Sequence, residues 1–149
     1  MRAVVQRVST ASVRVGDRIV GEIGAGLVAL IGVARDDETR DAEAIASKIM
    51  GLRVFDDGAG VMNVDVAGAG GAVLAVSQFT LYGDARRGRR PSFVAAAPGD
   101  QARPLFDHVV ERLRSAGVRA QTGEFGAEMH LMLTNDGPVT ILLDSRKIF

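Results

Sequence analysis

The sequence has no cysteine and only two histidines. The lack of the first and the scarcity of the second limit which catalytic and metal-binding groups the protein can have. Without cysteine there is no disulfide, no thiolate nucleophile and no cysteine-bound metal. His108 falls on a predicted helix and His130 on a predicted strand, outside any motif, so we interpret both as structural or surface residues. Carboxylates cluster only at a predicted helix start and in the Asp56-Asp57 turn, and we therefore predict no metal and no cofactor.

Net charge and long apolar runs are missing too. The 18 basic and 18 acidic residues cancel at neutral pH, so nucleic acid would have to be bound by a local basic patch. The longest apolar stretch, residues 24–34, has about half the length of a membrane-spanning helix, and no signal-peptide core follows Arg2 and Arg7. These features predict a cytoplasmic protein with no membrane partner.

The residues that are present predict one globular domain built mostly from strands. A chain of 149 residues, 47% of them hydrophobic, is long enough to bury one sizeable core, and no repeat divides it. We therefore predict a single domain over residues 1–149. The predicted strands are residues 3–9, 12–15, 18–23, 27–33, 72–76, 118–122, 129–134 and 139–143, with hairpins at Gly16-Asp17 and around Asp56-Asp57-Gly58.

Two segments show the periodicity of amphipathic helices. The first has an acidic first turn at residues 36–38 and ends near Gly51. The second has Asp100 as its predicted N-cap and Pro104 in its first turn, and it ends before Gly117. Two helices among many strands and tight turns predict an α+β fold.

Two short polar segments, Ser77–Leu81 and Asn135–Thr140, stand at the ends of apolar runs. Backbone N–H groups around Phe79 and Thr80 would be available to stabilise an oxyanion, although spacing alone favours an ordinary strand end whose polar residues satisfy the last ladder bonds. The start of the second segment, taken alone, predicts a hairpin turn between two strands.

Together the two segments resemble the paired signature of the D-aminoacyl-tRNA deacylases, homodimeric enzymes that hydrolyse the ester joining a D-amino acid to tRNA. The resemblance covers nearly the whole chain. Further landmarks occur in the family's order at Gln6-Arg7-Val8, Gly21–Leu27, Arg90–Phe93 and Gln121–Gly123. The resemblance to this family implies a barrel-like, largely antiparallel sheet with two main helices. It also implies a homodimer with the active site at the subunit interface. Animal-type relatives that correct L-amino acids match both segments less well.

The resemblance also implies which residues catalyse the reaction. They are those of the first segment, Ser77, Gln78, Phe79 and Thr80. In the family, the backbone and the terminal ribose hydroxyl of the substrate are thought to matter more than side chains, which an already activated ester permits. The rival mechanism makes Thr80 the nucleophile, but the sequence shows no base to activate it.

The second segment would supply chiral selection. The residues implied are Gly137, Pro138, Val139, Thr140 and, from the first strand, Arg7. By resemblance Gly137-Pro138 is a cis dipeptide inserted into the partner's pocket, where its carbonyls occupy the space that an L side chain needs. Glycyl-tRNA would then not be excluded, and many D side chains would be accepted. Arg7 either braces this loop or is a surface arginine on an edge strand.

Four arginines follow the first segment closely: Arg86, Arg87, Arg89 and Arg90. Such a run is usually a solvated face, but in this place it could equally contact acceptor-stem phosphates of tRNA. An alternative to catalysis is a pocket that only binds the aminoacylated end of tRNA. The chain has one tyrosine, six phenylalanines and no tryptophan, so it lacks an array of stacking platforms, which weakens this alternative.

Overall fold

The computed structural model describes residues 1–149. Its elements, in chain order, are β1 (Arg2–Val15), β2 (Arg18–Ile23), β3 (Gly26–Gly32), α1 (Thr39–Gly51), β4 (Phe55–Asp56), β5 (Met62–Val64), β6 (Ala72–Ser77), a 3₁₀ helix (Phe79–Tyr82), α2 (Gly99–Ser115), β7 (Arg119–Thr122) and β8 (His130–Asp144). Neither α-helix combines the length and apolarity that a membrane crossing demands.

The main sheet has the order β2-β1-β3-β6-β7, with β8 added along the other edge of β1. β1 pairs antiparallel with β2, β3 and β8, whereas β3, β6 and β7 run parallel to one another. The sheet curls so that β2 approaches β7, where the Glu22 N–H donates to Gln121 Oε1 at 2.9 Å. The α+β, barrel-like sheet with two helices is therefore confirmed.

Two hydrophobic cores hold these layers together. One lies inside the barrel, and the larger one lies between the sheet and the two helices, which pack on each other. The helices bury the apolar faces that their periodicity predicted. These faces consist of Ala42, Ile45, Ala46 and Ile49 on α1, and of Phe106, Val109, Val110 and Leu113 on α2.

β1 and β8 are each one continuous strand where two were predicted. Both halves of β8 run antiparallel to β1, so the hairpin turn predicted within β8 is wrong. Asn135 lies opposite Val8, and Thr140 lies opposite Gln6. Residues 136–139 therefore loop out of the strand as a long bulge, because they have only one residue of β1 to face. We call these four residues the bulge.

Both helices begin at other residues than the sequence indicated. α2 has Pro98 as its N-cap, so Asp100 lies in the first turn and Pro104 lies inside the helix. The extended backbone of Pro98 (ψ 157°) marks the boundary, and its carbonyl accepts the first helical hydrogen bonds, from Gln101 and Ala102. α1 begins at Thr39 with Glu38 as its N-cap, so the acidic residues 36–38 precede the helix instead of forming its first turn.

Asp37, which the sequence assigned to that acidic turn, is instead buried against the N-terminus. Its Oδ1 accepts from the Met1 ammonium at 2.6 Å, and its Oδ2 accepts from the Ala34 N–H at 2.6 Å. The Met1 ammonium also donates to Ser145 Oγ at 2.7 Å. Asp37 Oδ1 also accepts from Arg146 Nη2 at 3.1 Å, but the fully buried ammonium has only Asp37 for its charge compensation.

Replacing Asp37 by alanine is expected to lower the free energy of unfolding by about 3–5 kcal/mol, because it leaves a buried ammonium without its counter-ion. Urea denaturation of the variant measures the loss. Asp36→Ala is the matched control, since Asp36 is exposed and pairs only with Arg146. Equal losses in the two variants would contradict a stabilising role for the buried pair.

Candidate active site

A pocket with a mostly apolar lining lies at the carboxyl ends of the three parallel strands. Val33 follows β3, Ser77 ends β6 and is followed by Gln78 and Phe79, and Phe125–Ala127 follow β7. Ligands commonly bind at this edge of parallel strands, because the loops that leave them converge there. The cavity measures about 420 Å³, and nine of its 13 lining residues are hydrophobic. It therefore suits an apolar or flat ligand group more than a compact charged one.

The first polar segment forms one wall of this pocket and ends in the 3₁₀ helix. The Gln78 N–H donates to the Ile31 carbonyl at 2.8 Å, and the Gln78 carbonyl accepts from the Leu81 N–H at 3.3 Å. The N–H groups of Phe79 and Thr80 are the first two of the helix, so no carbonyl inside the helix accepts them. Both N–H groups are therefore available to an acceptor outside the helix.

Gly32 makes the close approach of this segment possible. A Cβ added there would lie 2.9 Å from the Gln78 carbonyl oxygen and 3.1 Å from Leu81 Cβ. The 3₁₀ helix can therefore rest directly on the end of β3. On its outer side the ring of Phe79, 55% exposed, meets Phe93 edge to face, with 5.2 Å between ring centroids.

No side chain near Thr80 is suited to be a general base. The Thr80 hydroxyl accepts a hydrogen bond from Gln78 Nε2. His108 lies on α2, with its Nε2 3.5 Å from Glu43 of α1, and His130 is the first residue of β8, where it pairs with Arg14 of β1. Neither histidine lines the pocket. The arrangement offers backbone donors to a ligand but no base for a threonine nucleophile.

The bulge lies outside the pocket of its own chain, because no residue of 135–140 lines that cavity. Leu131 does line it, and the five residues of extended strand from Leu131 to Asp136 span roughly 17 Å. Gly137 and Pro138 are exposed, and the peptide bond between them is cis. The two polar segments therefore do not meet within one chain.

Arg7 contacts the bulge and is not a surface arginine. Its side chain is only 11% exposed, and its Nε donates to the Asp136 carbonyl at 3.2 Å. Its Nη1 donates to the Val54 carbonyl at 2.6 Å and lies 3.5 Å from Asp56 Oδ1. The guanidinium thus links the bulge to β4.

Val139 and Thr140, the last two residues of the second segment, anchor the bulge to the strand. Val139 packs against the larger core and is partly buried. The Thr140 hydroxyl accepts from Gln6 Nε2 and from Asn135 Nδ2, both at 3.1 Å. Gly137 and Pro138 lie exposed before these two anchors.

Comparison with known proteins shows to which family this geometry belongs. The family described as D-Tyr-tRNA(Tyr) deacylase matches residues 4–144. A relative from Symbiobacterium thermophilum, named D-aminoacyl-tRNA deacylase, is 58% identical over 149 residues, which cover 100% of this chain and 99% of the relative. The chain belongs to this deacylase family. It is accordingly an enzyme of the hydrolase class.

Two solved structures share the fold of this family member. One, named c-Myc DNA Unwinding Element Binding Protein, superposes with a TM-score of 0.91 at 40% identity and covers 97% of this chain and 98% of its own. The other, described as a probable eukaryotic D-amino acid tRNA deacylase, has a TM-score of 0.82 at 18% identity and covers 96% and 98%. At that identity the second match supports the fold alone.

The sequence did not indicate the apolar side of this pocket. That side is formed by residues that follow β7 or begin the run into β8, notably Phe125, Met129 and Leu131. A possible signal was their position after a strand that runs parallel to β6, since parallel neighbours end at the same edge.

The arginine loop after the 3₁₀ helix is closed at its base by Asp84 and Ser92. Their backbones exchange two hydrogen bonds of 2.8 and 2.9 Å. Asp84 Oδ2 also accepts from Arg86 Nη2 at 2.6 Å, and this guanidinium holds the pKa of the Asp84 carboxyl well below its usual range. Three exposed arginines of the loop have no acidic partner in the chain, namely Arg87, Arg89 and Arg90.

The 15-residue strand β8 has no partner along its outer edge, and both of its faces carry apolar side chains among polar ones. Met132 and Leu142 point outward and are more than half exposed. Inward residues such as Leu133 and Ile141 are only partly buried, although they pack against the cores. A long, unprotected edge of this kind is a natural site for pairing with another chain.

Proposed function

We propose that this deacylase hydrolyses the ester between a D-amino acid and the terminal adenosine of tRNA, releasing free D-amino acid and tRNA. The observation that carries the proposal is the pair of backbone N–H groups at Phe79 and Thr80, which begin the 3₁₀ helix directly after the pocket wall of Ser77–Phe79, in a chain 58% identical to a named D-aminoacyl-tRNA deacylase. Because aminoacylated tRNA is made in the cytoplasm, that is where the enzyme would act.

The chemistry relies on the backbone and on the substrate. Water adds to the ester carbonyl carbon, and the N–H groups of Phe79 and Thr80 stabilise the oxyanion, with each such donor typically worth about 3 kcal/mol. The tetrahedral intermediate then expels the ribose 3′ oxygen, which takes up a proton. The neighbouring 2′ hydroxyl orients the water and relays protons, since no side chain of the pocket is a suitable base.

Chiral selection comes from a second subunit. Gly137 and Pro138 project from β8 but lie outside their own pocket, so they are placed to enter the pocket of a partner. Their carbonyl oxygens there occupy the side of the substrate carbon on which an L side chain would lie. A D side chain points away from them, and glycine has no side chain to exclude, so the enzyme also hydrolyses glycyl-tRNA.

The homodimer that this selection requires forms along β8. A two-fold axis beside this edge buries the exposed Met132 and Leu142 of both subunits and covers the partly buried inward side chains. The same contact carries the bulge of each subunit toward the other. Because the interface is self-complementary, both active sites are completed in one step of association.

The arginine loop provides the contact with tRNA. Phe93, at its end, touches Phe79 at the pocket, so the loop stands beside the bound substrate end. Arg87, Arg89 and Arg90 face phosphates, whereas Arg86 shapes the loop through its ion pair with Asp84. A chain without net charge then binds RNA only at this patch.

Replacing Arg89 by alanine is expected to weaken tRNA binding and to lower the slope of log Kd against log salt by about one, because one phosphate contact is lost. Arg86→Ala should change this slope less, since Asp84 already neutralises its charge. Titration of tRNA at several salt concentrations measures both effects. Arg40→Ala, in an exposed pair with Glu38 on α1, is the control, and an equal slope for it and Arg89→Ala would contradict the contact.

The proposed function is tested by incubating the purified, chelator-treated protein with D-tyrosyl-, L-tyrosyl- and glycyl-tRNA. We expect rapid hydrolysis of the D and glycyl esters while the L ester stays intact. Tight binding of all three without hydrolysis would instead establish the alternative, a module that only holds the aminoacylated end of tRNA.

A further inference from the structure

The backbone of the bulge lacks the ladder partners of ordinary strand residues, because residues 136–139 have no paired residue in β1. Such polar groups need other partners. Two side chains supply them: Arg7 Nε donates to the Asp136 carbonyl at 3.2 Å, and Asn135 Oδ1 accepts from the Val139 N–H at 3.1 Å. One side chain thus holds each end of the bulge, with Gly137-Pro138 between them.

Asn135 also ties the bulge to the neighbouring strand. Its Nδ2 donates to the Thr140 hydroxyl at 3.1 Å, and the same hydroxyl accepts from Gln6 Nε2 on β1 at 3.1 Å. Both halves of the Asn135 amide are therefore used. Asn135 bonds to Val139, which directly follows Gly137-Pro138, and to Thr140, where pairing with β1 resumes. Its side chain therefore closes the base of the bulge.

Gly137 packs closely against Val139 and Arg7, the residues whose hydrogen bonds hold the two ends of the bulge. An added Cβ on Gly137 would lie 3.1 Å from the Val139 nitrogen and 3.1 Å from Arg7 Nη2. With so little space, a movement of the Val139 backbone must also move Gly137. The hydrogen bond from Val139 to Asn135 consequently limits where the carbonyls of the dipeptide can lie.

We propose that Asn135 is a positioning residue that sets the projection of Gly137-Pro138 and thereby the preference for D over L substrates. It touches no substrate and acts only through the bulge. The inference rests on the proposed function for its effect on selectivity. Its effect on the order of the bulge is independent of any activity.

The test compares Asn135→Leu with Asn135→Asp. Leucine has nearly the same size but no polar group, whereas aspartate keeps an acceptor for the Val139 N–H and a second oxygen for the Thr140 hydroxyl. The matched control is Asn63→Leu, because Asn63 is an exposed residue of β5, remote from the bulge in sequence, that accepts from Arg53 at 3.2 Å and makes no hydrogen bond to residues 135–140. Two quantities are measured: the ratio of D- to L-tyrosyl-tRNA hydrolysis, and the hydrogen-exchange rate of the Val139 amide.

In Asn135→Leu we expect the hydrolysis ratio to fall, and the Val139 amide to exchange faster, by about tenfold or more in each case. Asn135→Asp should restore both, and Asn63→Leu should change neither. Faster exchange with an unchanged ratio would overturn the role in selectivity, and unchanged exchange would overturn the positioning role altogether. If the wild-type protein hydrolysed no ester, the proposed function would fail, while the exchange rates would still decide whether Asn135 holds the bulge.

Discussion

Replacing Gly137 by alanine is expected to lower the ratio of D- to L-tyrosyl-tRNA hydrolysis at least tenfold, the effect of losing about 1.4 kcal/mol of discrimination. Gly137 has a φ of +122°, which L residues rarely adopt, and the new Cβ would lie 2.8 Å from Val139 Cγ2. The bulge must shift to relieve this contact. Its carbonyls then leave the position from which they exclude an L side chain. Initial rates of D- and L-tyrosyl-tRNA hydrolysis measure the resulting change in the ratio.

The control for this variant is Gly51→Ala at the end of α1, where an added Cβ meets no atom within 4 Å. Gly51→Ala should hydrolyse D- and L-tyrosyl-tRNA in the same ratio as the wild type. Backbone strain in Gly137→Ala costs about 1–3 kcal/mol, so thermal unfolding must show that the variant is still folded at the assay temperature. A folded Gly137→Ala protein with wild-type selectivity would show that the bulge is not the chiral filter.

A tRNA that ends in 2′-deoxyadenosine and carries D-tyrosine on its 3′ hydroxyl is expected to be hydrolysed about 10²- to 10⁴-fold more slowly than the normal substrate. The reason is that the pocket supplies backbone donors but no side chain suited to move protons. The ribose hydroxyl beside the ester must therefore do so. Single-turnover rates with saturating enzyme separate this effect from weaker binding.

Thr80→Ala is the matched change on the protein, and it should lower the same rate by less than about tenfold, because it removes a hydroxyl but leaves the backbone donor in place. The Thr80 hydroxyl accepts from Gln78, and no histidine or carboxylate lines the pocket beside it. The reverse pattern, a severe loss in Thr80→Ala and a normal rate with the deoxy substrate, would identify a threonine nucleophile.

The bulge shows where prediction from the sequence stops. The residues Asn135–Pro138 have the composition of a turn, and their local chemistry predicts a chain reversal. Whether the chain reverses depends on the strand beside it, and β1 is long enough to pair with both halves of β8. The periodicity of α1 and the turn between β1 and β2 were predictable, because their causes lie within a few residues.

The residues of the site that the sequence did not indicate are brought there by strand pairing between distant parts of the chain. Ser77–Thr80 were found through their resemblance to the family, and the structure places Ser77, Gln78 and Phe79 along the pocket. Phe125 joins them only because β7 runs parallel to β6. Asp37 was assigned to a helix start, since nothing near it in the sequence points to its partner, the ammonium of Met1.

The central claim, that each active site combines the pocket of one subunit with the bulge of the other, is tested most directly by a defined heterodimer. One subunit carries Ala127→Trp, which fills the pocket, and the other carries Gly137→Ala, with different affinity tags so that only the mixed dimer is purified. We predict wild-type D-over-L selectivity at about half the wild-type rate, because the open pocket receives the intact bulge of its partner. A heterodimer with the same selectivity as the Gly137→Ala homodimer would contradict the claim, since the open pocket would then depend on its own bulge.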